Sequence, residues 1–443
     1  MPHPESVERF RELLRIPTIS IEHADDGRAE QLALFRAALE RLYPRVHAEL
    51  ERELVAEHTL LFRWRGRSSE QPTVLMAHQD VVPADDGGWT HPPFAAELVE
   101  VDGEQRIWAR GAIDDKGMLV ALLEAVEQAL AEGVVPQHDI WLLLGHDEER
   151  FGTGAQSVAR LFEQRGVKPA FVLDEGGAIV TGVLPGVDAP LAMIGVTEKG
   201  IANFELRVEQ QGGHASTPPA TTAVDRLAGA IARLRRRPAP AEVPEPVIRM
   251  LEVVAPHAAG PRGRLFARAR SLRGLLARVF VRLGPETAAL VRTTRAVTEL
   301  RGSAAPNVLA ERATATVNVR VAVGSSVEAE RQRIVRAIDD PKVRVTTVEA
   351  SEPSPVSPTS GAIWERLGRA ITGVHPAVVP TPYVMLGASD SRHLAHLSPA
   401  VYRFSPFAIS AAQRAALHAI DENVSVATWL DGIRVFRRLI DEL

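Results

Sequence analysis

Residues 73–83, TVLMAHQDVVP, decide the fold class of this chain. An apolar run that ends abruptly in polar residues is typical of a buried strand of a parallel sheet. Imidazole is a good zinc ligand, and Asp80 lies on the same side of an extended chain as His78. Asp80 could therefore accept the second N–H of the His78 ring, as carboxylates behind metal-bound histidines do. A hydrogen-bonded pair with a purely structural role explains the same pattern, so both interpretations stay open here.

Similar apolar runs recur through the first part of the chain and alternate with helical patterns. This alternation predicts an α/β fold with a mainly parallel sheet and helices on both faces. Ligands bind such sheets beyond the carboxyl ends of the strands, which is where we expect the polar residues to act. The predicted helices and strands are Ser6 to Leu14, Gln31 to Leu42, Thr73 to Met76, Met118 to Glu132, Ile140 to Leu144, Val158 to Arg165 and Phe171 to Leu173.

The pattern changes near residue 197, where alternating strands and two amphipathic helices replace the parallel-sheet pattern. We predict an inserted α+β domain of ferredoxin-like pattern at 197–352, between catalytic-domain segments at 1–196 and 353–443. A helical insertion is expected at about 255–292. Within it, the basic amphipathic stretch Leu265 to Leu290 indicates either a membrane-surface or acyl-chain-binding helix pair, or a plain cover over the site.

Composition narrows the class of protein. The chain has 443 residues, 45% hydrophobic and 24% charged, which is ordinary for a globular protein of two domains. A formal charge of -5 gives no reason to expect a nucleic-acid partner. No run is long enough to span a membrane, and the charged N-terminal residues do not form a signal peptide, so we expect a cytoplasmic location.

Further acidic and histidine elements follow the apolar runs. Asp114-Asp115 precede the helix that begins near Met118, where helix capping is the alternative explanation. The adjacent acids of residues 147–149 end a buried strand, and such acids repel unless a cation or proton holds them. Asp174 follows another strand, and His418 precedes a further acidic pair. Because cysteine is absent, these elements in combination predict a metal site of oxygen and nitrogen ligands.

Signatures of other enzyme classes are missing: there is no Walker loop, complete GxGxxG, GxSxG elbow or HExxH motif. The inserted domain carries Gly212-Gly213-His214-Ala215-Ser216, where glycines let the backbone approach a ligand closely. A turn with a solvated histidine is the alternative interpretation of that motif.

With these motifs on the page, the chain resembles the aminoacylase/carboxypeptidase metallopeptidase family. Within it, the chain is similar to the branch of carboxypeptidase S and the N-fatty-acyl-amino-acid synthase/hydrolase. The motifs occur in the family's order from about Thr73 to Val426: HQDVVP, W-x-HPPF, RGAIDDKG, GHDEE, GTGAQ, DEGG, EKG, GGHAS and NVLA.

The resemblance implies a role for each matching residue. It implies two Zn²⁺ ions, with Co²⁺ or Mn²⁺ as substitutes, bridged by Asp114. His78 and Asp174 would complete one metal shell, and Glu149 and His418 the other. Glu148 would be the general base, Asp80 would orient His78, and a cis peptide is expected between Asp114 and Asp115. His214 would stabilise the oxyanion across a homodimer interface formed by the inserted domain. The candidates for binding a substrate carboxylate are Arg320, Arg392, Gly387 and Asn307.

The implied reaction is hydrolysis of an N-acyl amino acid, with long fatty acyl chains among the acyl groups it could carry, or of a short peptide with a free C-terminus. A dipeptidase or Gly-X carboxypeptidase is the alternative, and a non-catalytic metal-binding scaffold is a remote one. Two positions depart from the family pattern: Ala419 stands where glycine is expected, and Ala310 where proline is usual. Because neither position is a ligand, the departures concern only the local backbone. We also predict that the basic stretch covers an apolar acyl channel.

Overall fold

A computed structural model describes residues 4–20, 27–84 and 87–443. The expectation that the N-terminus is no signal peptide concerns in part residues 1–3, which lie outside this range. No helix in the described part of the chain combines the length and hydropathy that a membrane span requires.

Fourteen helices are present among the described residues. They are α1 Pro4–Leu14, α2 Arg28–Leu42, α3 Pro44–Glu49, α4 Lys116–Ala131, α5 Thr153–Arg165, α6 Ala223–Arg236, α7 Glu245–Val254, α8 Pro261–Phe266, α9 Arg273–Leu283, α10 Pro285–Val291, α11 Val327–Ile338, α12 Ala362–Thr372, α13 Ala411–Ala416 and α14 Val426–Glu442.

The strands of the same residues form four sheets. They are β1 Glu51–Val55, β2 Thr59–Trp64, β3 Ser68–His78, β4 Glu97–Val101, β5 Glu104–Trp108, β6 His138–Gly145, β7 Phe171–Asp174, β8 Ile179–Val180, β9 Leu191–Glu198, β10 Gly200–Glu209, β11 Gly213–His214, β12 Thr294–Arg301, β13 Val308–Leu309, β14 Arg312–Val321, β15 Arg344–Ser351, β16 Val379–Met385, β17 Val401–Arg403 and β18 Asn423–Ser425.

The large sheet has the order β1-β2-β6-β3-β7-β17-β9-β16, with β8 paired to β9. Its centre is parallel, because β6, β3, β7 and β17 all pair in that sense. The strands β1 and β2 extend one side in antiparallel pairing, and β9 with β16 extends the other. This sheet confirms the predicted α/β fold class.

Strand β3 shows why the centre of the sheet is buried on both faces. Leu75 and Ala77 pack into the core beneath α4 and α14, whereas Val74 and Met76 pack against the opposite core, which includes α5. The alternation places each side chain of an unbroken apolar run into one core or the other. The run therefore positions His78 at the strand's carboxyl end.

The small sheet has the antiparallel order β12-β14-β10-β15. Helix α6 follows β10 and α11 follows β14, which gives the βαββαβ order of the ferredoxin-like pattern. Both helices pack on one face of the sheet around a core of its own. The exact domain boundaries at residues 197 and 352 stay a prediction.

The helical insertion, defined here as α7 to α10, lies between α6 and β12 in the chain but packs on the large sheet. Its apolar residues form one core with Leu191 of β9, Val384 of β16 and Leu184 from the turn between β8 and β9. Lys199 fastens the insertion, because its Nζ donates to the carbonyl oxygens of Ala289 at 3.1 Å and Arg292 at 2.9 Å. The insertion is thus a packed part of the large unit.

Candidate metal centre

The carboxyl ends of neighbouring strands bring the predicted acidic and histidine elements together. In the parallel pairing of β3 with β6, His78 lies directly opposite Gly145, and β7 pairs with the other side of β3. Residues that follow these strands therefore meet at one edge of the sheet, as expected for a parallel sheet.

Asp114 lies between two histidines from distant parts of the chain. Its Oδ1 is 3.1 Å from His78 Nε2, and its Oδ2 is 3.0 Å from His418 Nε2. Although burial opposes it, these two contacts lower the pKa of the Asp114 carboxyl. The hydrogen bond to Asp114 in turn raises the pKa of His418 to about 10. Asp114 is thus held ionised, with each oxygen facing a different imidazole.

Glu149 completes a group of side chains that could hold a cation. Its Oε2 is 3.3 Å from His418 Nε2, and its Oε1 is buried without a hydrogen-bond partner among the described residues. Ligand atoms of Glu149, His78 and Asp114 all lie within 4.8 Å of one another. A buried carboxylate oxygen without a donor is costly. Carboxylate and imidazole ligands of this kind suit zinc, so the residues fit a bound metal.

Asp80 positions both the histidine and the acidic turn. His78 Nδ1 lies 2.9 Å from the Asp80 backbone oxygen and 3.3 Å from its Oδ1. The carboxylate also accepts the backbone N–H groups of Glu148 at 3.2 Å and Glu149 at 3.3 Å, and the hydroxyl of Ser20 at 2.5 Å. The backbone oxygen therefore shares the role predicted for the Asp80 side chain alone, and the carboxylate anchors the turn that carries the acids.

Asp115 does not cap helix α4, although it stands at the position just before the helix. Its side chain makes no capping hydrogen bond. Instead its Oδ2 accepts the backbone N–H of His78 at 3.0 Å. The Asp114–Asp115 peptide is cis, as the resemblance implied. Capping therefore does not explain the acidic pair.

Glu422 braces the loop that carries Asp114, and sequence reasoning gave it no role. Its fully buried carboxylate accepts N–H groups from Arg110 at 2.6 Å, Gly111 at 3.0 Å, Ile113 at 2.8 Å and Asp114 at 3.1 Å. Strand β18 starts directly after Glu422 and pairs with β5, which leads into the loop. In the sequence, Glu422 is visible as an acidic residue soon after His418. Its partner Arg110 lies 312 positions away, so the sequence did not indicate the pair.

Glu148 stands at the start of a 3₁₀ turn, Glu148–Arg150, beside two arginines. Burial raises the pKa of its carboxyl well above the ordinary value. Arg392 Nη1 lies 3.7 Å from Glu148 Oε1. Burial and then the charge of Arg392 lower the pKa of Arg320, which projects from β14 of the small sheet. The two candidate arginines thus converge near Glu148.

Asp174 ends β7 next to this cluster, but its oxygens face backbone donors. Oδ1 accepts the N–H of Glu175 at 3.0 Å, and Oδ2 accepts that of Ser391 at 2.7 Å. Asp174 is not among the three residues whose ligand atoms lie within 4.8 Å of one another. Its role as a metal ligand stays a prediction.

Three further predicted residues lie apart from the cluster. His214 and Asn307 are neighbours on the ribbon formed by β11 and β13, where the N–H of Ala215 donates to the oxygen of Asn307 at 3.0 Å. The exposed His214 ring lies 2.8 Å from the Ser216 hydroxyl. Gly387 follows β16, near the end of Met385. Within the described chain, the structure joins none of these three directly to the side chains of the candidate metal site.

Ala419 stands where the family pattern has glycine, so the backbone conformation around His418 is of interest. His418 itself has a φ of 58°, and Asp421 a φ of 63°, so these residues take the left-handed conformation. Ala419 is not among the residues with positive φ. Alanine is therefore tolerated because the strained turn falls on its neighbours.

Comparison with known proteins places this geometry in a family. The chain matches the model of peptidase family M20/M25/M40 over residues 74–442. The N-fatty-acyl-amino acid synthase/hydrolase PM20D1 of Homo sapiens is 34% identical over 440 residues, covering 98% of this chain and 86% of that protein. Carboxypeptidase S of Saccharomyces cerevisiae is 28% identical, covering 97% of this chain and 82% of that protein.

Solved structures agree on the fold. The M20 family metallo-carboxypeptidase Sso-CP2 from Sulfolobus solfataricus superposes with a TM-score of 0.71 at 18% identity, covering 99% of each chain. The overall fold is thus shared with a metallo-carboxypeptidase. This chain belongs to the M20/M25/M40 peptidase family and is a metal-dependent hydrolase of amide bonds.

Proposed function

We propose that the protein is a two-zinc amidohydrolase that cleaves N-acyl amino acids at the amide bond next to a free carboxylate. The observation that carries the proposal is the placement of Asp114 between His78 and His418. A carboxylate with one oxygen toward each imidazole can bridge two cations. His78 and Asp174 would hold one ion, and Glu149 with His418 the other.

Glu148 carries the proton in the proposed reaction. Metal ions bound by these residues would supply Lewis acidity to polarise the amide carbonyl and ease ionisation of the attacking water. Glu148 accepts the proton of that water and returns it to the leaving amine nitrogen. Burial raises the pKa of its carboxyl, which favours the protonated form that the second step needs. Asp80 holds Glu148 in place through the backbone of the turn.

Arg392 and Arg320 are the proposed partners of the substrate carboxylate. Both lie near Glu148, and a guanidinium group matches a carboxylate through paired hydrogen bonds. The names of the relatives, N-fatty-acyl-amino acid synthase/hydrolase and carboxypeptidase, support a substrate that ends in a carboxylate. Asn307 and the backbone at Gly387 remain additional candidates.

His214 is proposed to act on the oxyanion from the second subunit of a homodimer. This explains why an exposed histidine on a two-stranded ribbon contacts Ser216 rather than the cluster of its own chain. Mixing Glu148→Gln subunits with His214→Ala subunits tests the idea. A mixed dimer that regains activity supports action across the interface, whereas inactivity of all mixtures contradicts it.

The reaction itself is tested with zinc-loaded protein on N-acetyl-phenylalanine, alongside a dipeptide. We expect two zinc ions per chain by metal analysis. Glu148→Gln should lower kcat by roughly 10²–10⁴-fold, the usual contribution of a positioned acid–base group. Glu163→Gln, which alters an exposed carboxylate on α5, is the matched control and should change little. An unaltered rate in Glu148→Gln would sink the mechanism, and faster cleavage of the dipeptide would favour the dipeptidase alternative.

A further inference from the structure

A cavity leads away from the candidate metal centre toward the helical insertion. A narrow space of about 40 Å³ begins at Asp114 and Glu175. A larger one of about 170 Å³ lies beyond it. The two spaces are adjacent, because they share five lining residues; these are Gly176, Gly177, Ala178, Ile409 and Leu417.

Gly176 and Gly177 add no side chain to the lining that the two spaces share. A Cβ on Gly177 would lie 1.8 Å from the backbone oxygen of Met193, and one on Gly176 would lie 2.5 Å from Met385 Sδ. Gly176 also has a φ of 130°, which other residues rarely adopt. The chain packs so closely here that only glycine fits, so no side chain projects from this part of the shared lining.

The far end of the cavity is apolar and is closed in part by the helical insertion. Met250 of α7 and Leu290 of α10 contribute to its wall, opposite Val183 and Met193 of the large unit. Lys199 holds the end of α10 in place. The insertion therefore forms part of the wall of an apolar compartment. This compartment adjoins the narrower space at Asp114, where an amide would be cleaved.

The size and the rim of the compartment limit what enters. A cavity of about 150 Å³ accommodates a benzene ring, so about 170 Å³ holds a group of roughly six carbon atoms. At the rim, Arg414 Nη2 lies 3.5 Å from Glu286 Oε2, and both side chains are exposed to solvent. An acyl chain longer than the compartment would have to pass this charged pair.

We propose that this compartment is the acyl-binding subsite and that it selects medium-length or aromatic acyl groups over acetyl and long fatty acyl groups. The proposal rests on the proposed N-acyl-amino-acid hydrolase function. It differs from the long-chain possibility drawn from the sequence, because the compartment is short and its rim is charged.

A series of N-acyl-phenylalanines on the zinc-loaded protein tests the selection. From acetyl to hexanoyl, kcat/KM should rise on the order of 10²-fold, since each buried CH₂ is worth about a factor of four. The phenylacetyl substrate should have about the same kcat/KM as the hexanoyl substrate, and the hexadecanoyl substrate should have no higher kcat/KM. A flat series with active acetyl substrate, or a maximum at hexadecanoyl, overturns the subsite while leaving the proposed function intact. No turnover of any member defeats the proposed function instead.

Two variants locate the effect in the compartment. Leu290→Trp fills it and should lower the hexanoyl-to-acetyl ratio of kcat/KM at least tenfold, whereas Met250→Ala enlarges it and should move the optimum to longer chains. Leu275→Trp is the matched control, since Leu275 lies on α9 of the same insertion but faces solvent. An unchanged ratio in both compartment variants contradicts the proposal. Calorimetry can measure the affinity of Glu148→Gln protein for N-hexanoyl-phenylalanine without turnover. This affinity should be lower in the double variant Leu290→Trp/Glu148→Gln.

Discussion

Substitution of Glu422 by glutamine should weaken both the fold and the metal centre. In the wild type, Oε2 accepts Arg110 Nη1 and the N–H of Gly111, while Oε1 accepts the N–H groups of Ile113 and Asp114. Whichever way the amide turns, its NH₂ group faces two donors. The Arg110 side chain also keeps a buried charge without its counter-ion.

The magnitude follows from the burial of this pair. Removing one partner of a buried ion pair costs about 3–5 kcal/mol, so we expect the free energy of unfolding in urea to fall by that amount in Glu422→Gln. Because the loop that carries Asp114 loses part of its support in either orientation, zinc affinity should fall about 10–100-fold, the usual effect of disturbing a residue behind the ligands. Competition with a fluorescent chelator measures this affinity.

The control is Glu53→Gln, which breaks a pair with Arg165 that is about 40% exposed on both sides. Exposed pairs contribute about 0–1 kcal/mol, so the control should unfold like the wild type and bind zinc normally. If Glu422→Gln lost less than about 1 kcal/mol and kept its zinc affinity, the bracing role derived from its four hydrogen bonds would be wrong.

Three other perturbations test separate parts of the structure. Burial lowers the pKa of Lys199 to about 8 from 10.5, so the unfolded chain binds more protons between these pH values. Unfolding measured from pH 7.5 to 10.5 should therefore show wild type gaining stability relative to Lys199→Met as the pH rises, by up to about 3 kcal/mol, and a constant difference would contradict this. Asp80→Asn should lower kcat and zinc affinity together, because one side chain holds His78 and the Glu148 turn; loss of only one property would divide these roles. Removal of metal by a chelator should abolish activity and lower the Tm, because a ligand that binds the native state stabilises it. Zn²⁺ should restore both properties, and Co²⁺ or Mn²⁺ should restore them in part. Full activity after verified metal removal would exclude a role for metal.

The strand-end acids and histidines could be predicted from the sequence because each follows an apolar run of its own strand. His78 and the acids of 147–149 then meet through parallel pairing of β3 and β6, which the βα alternation already favours. The predicted helices also begin and end within a few residues of the observed ones, as the prediction of Gln31 to Leu42 for α2, Arg28–Leu42, shows. Local periodicity is enough for these elements.

Partners brought together by long-range pairing were not predictable in the same way. Strand β17 enters the sheet between β7 and β9 from a segment more than 200 residues later, and β18 brings Glu422 to the Asp114 loop. Neither short strand has a sequence pattern that indicates which strand it pairs with. The left-handed backbone of His418 and the acyl-sized compartment likewise depend on how several segments pack, which no single stretch of sequence encodes.

The order of the ligands along the chain also affects synthesis. Asp114 and Glu149 leave the ribosome long before His418 and Glu422, and at about 5–20 residues per second the interval is on the order of tens of seconds. During that time the apolar face of α4 lacks α14, whose Trp429 stacks on Phe10 and donates to the oxygen of Gly117. The small sheet, by contrast, is complete once residue 351 has emerged. The core beneath α4 is therefore the part of the molecule that we expect to be completed last during synthesis, after the small sheet.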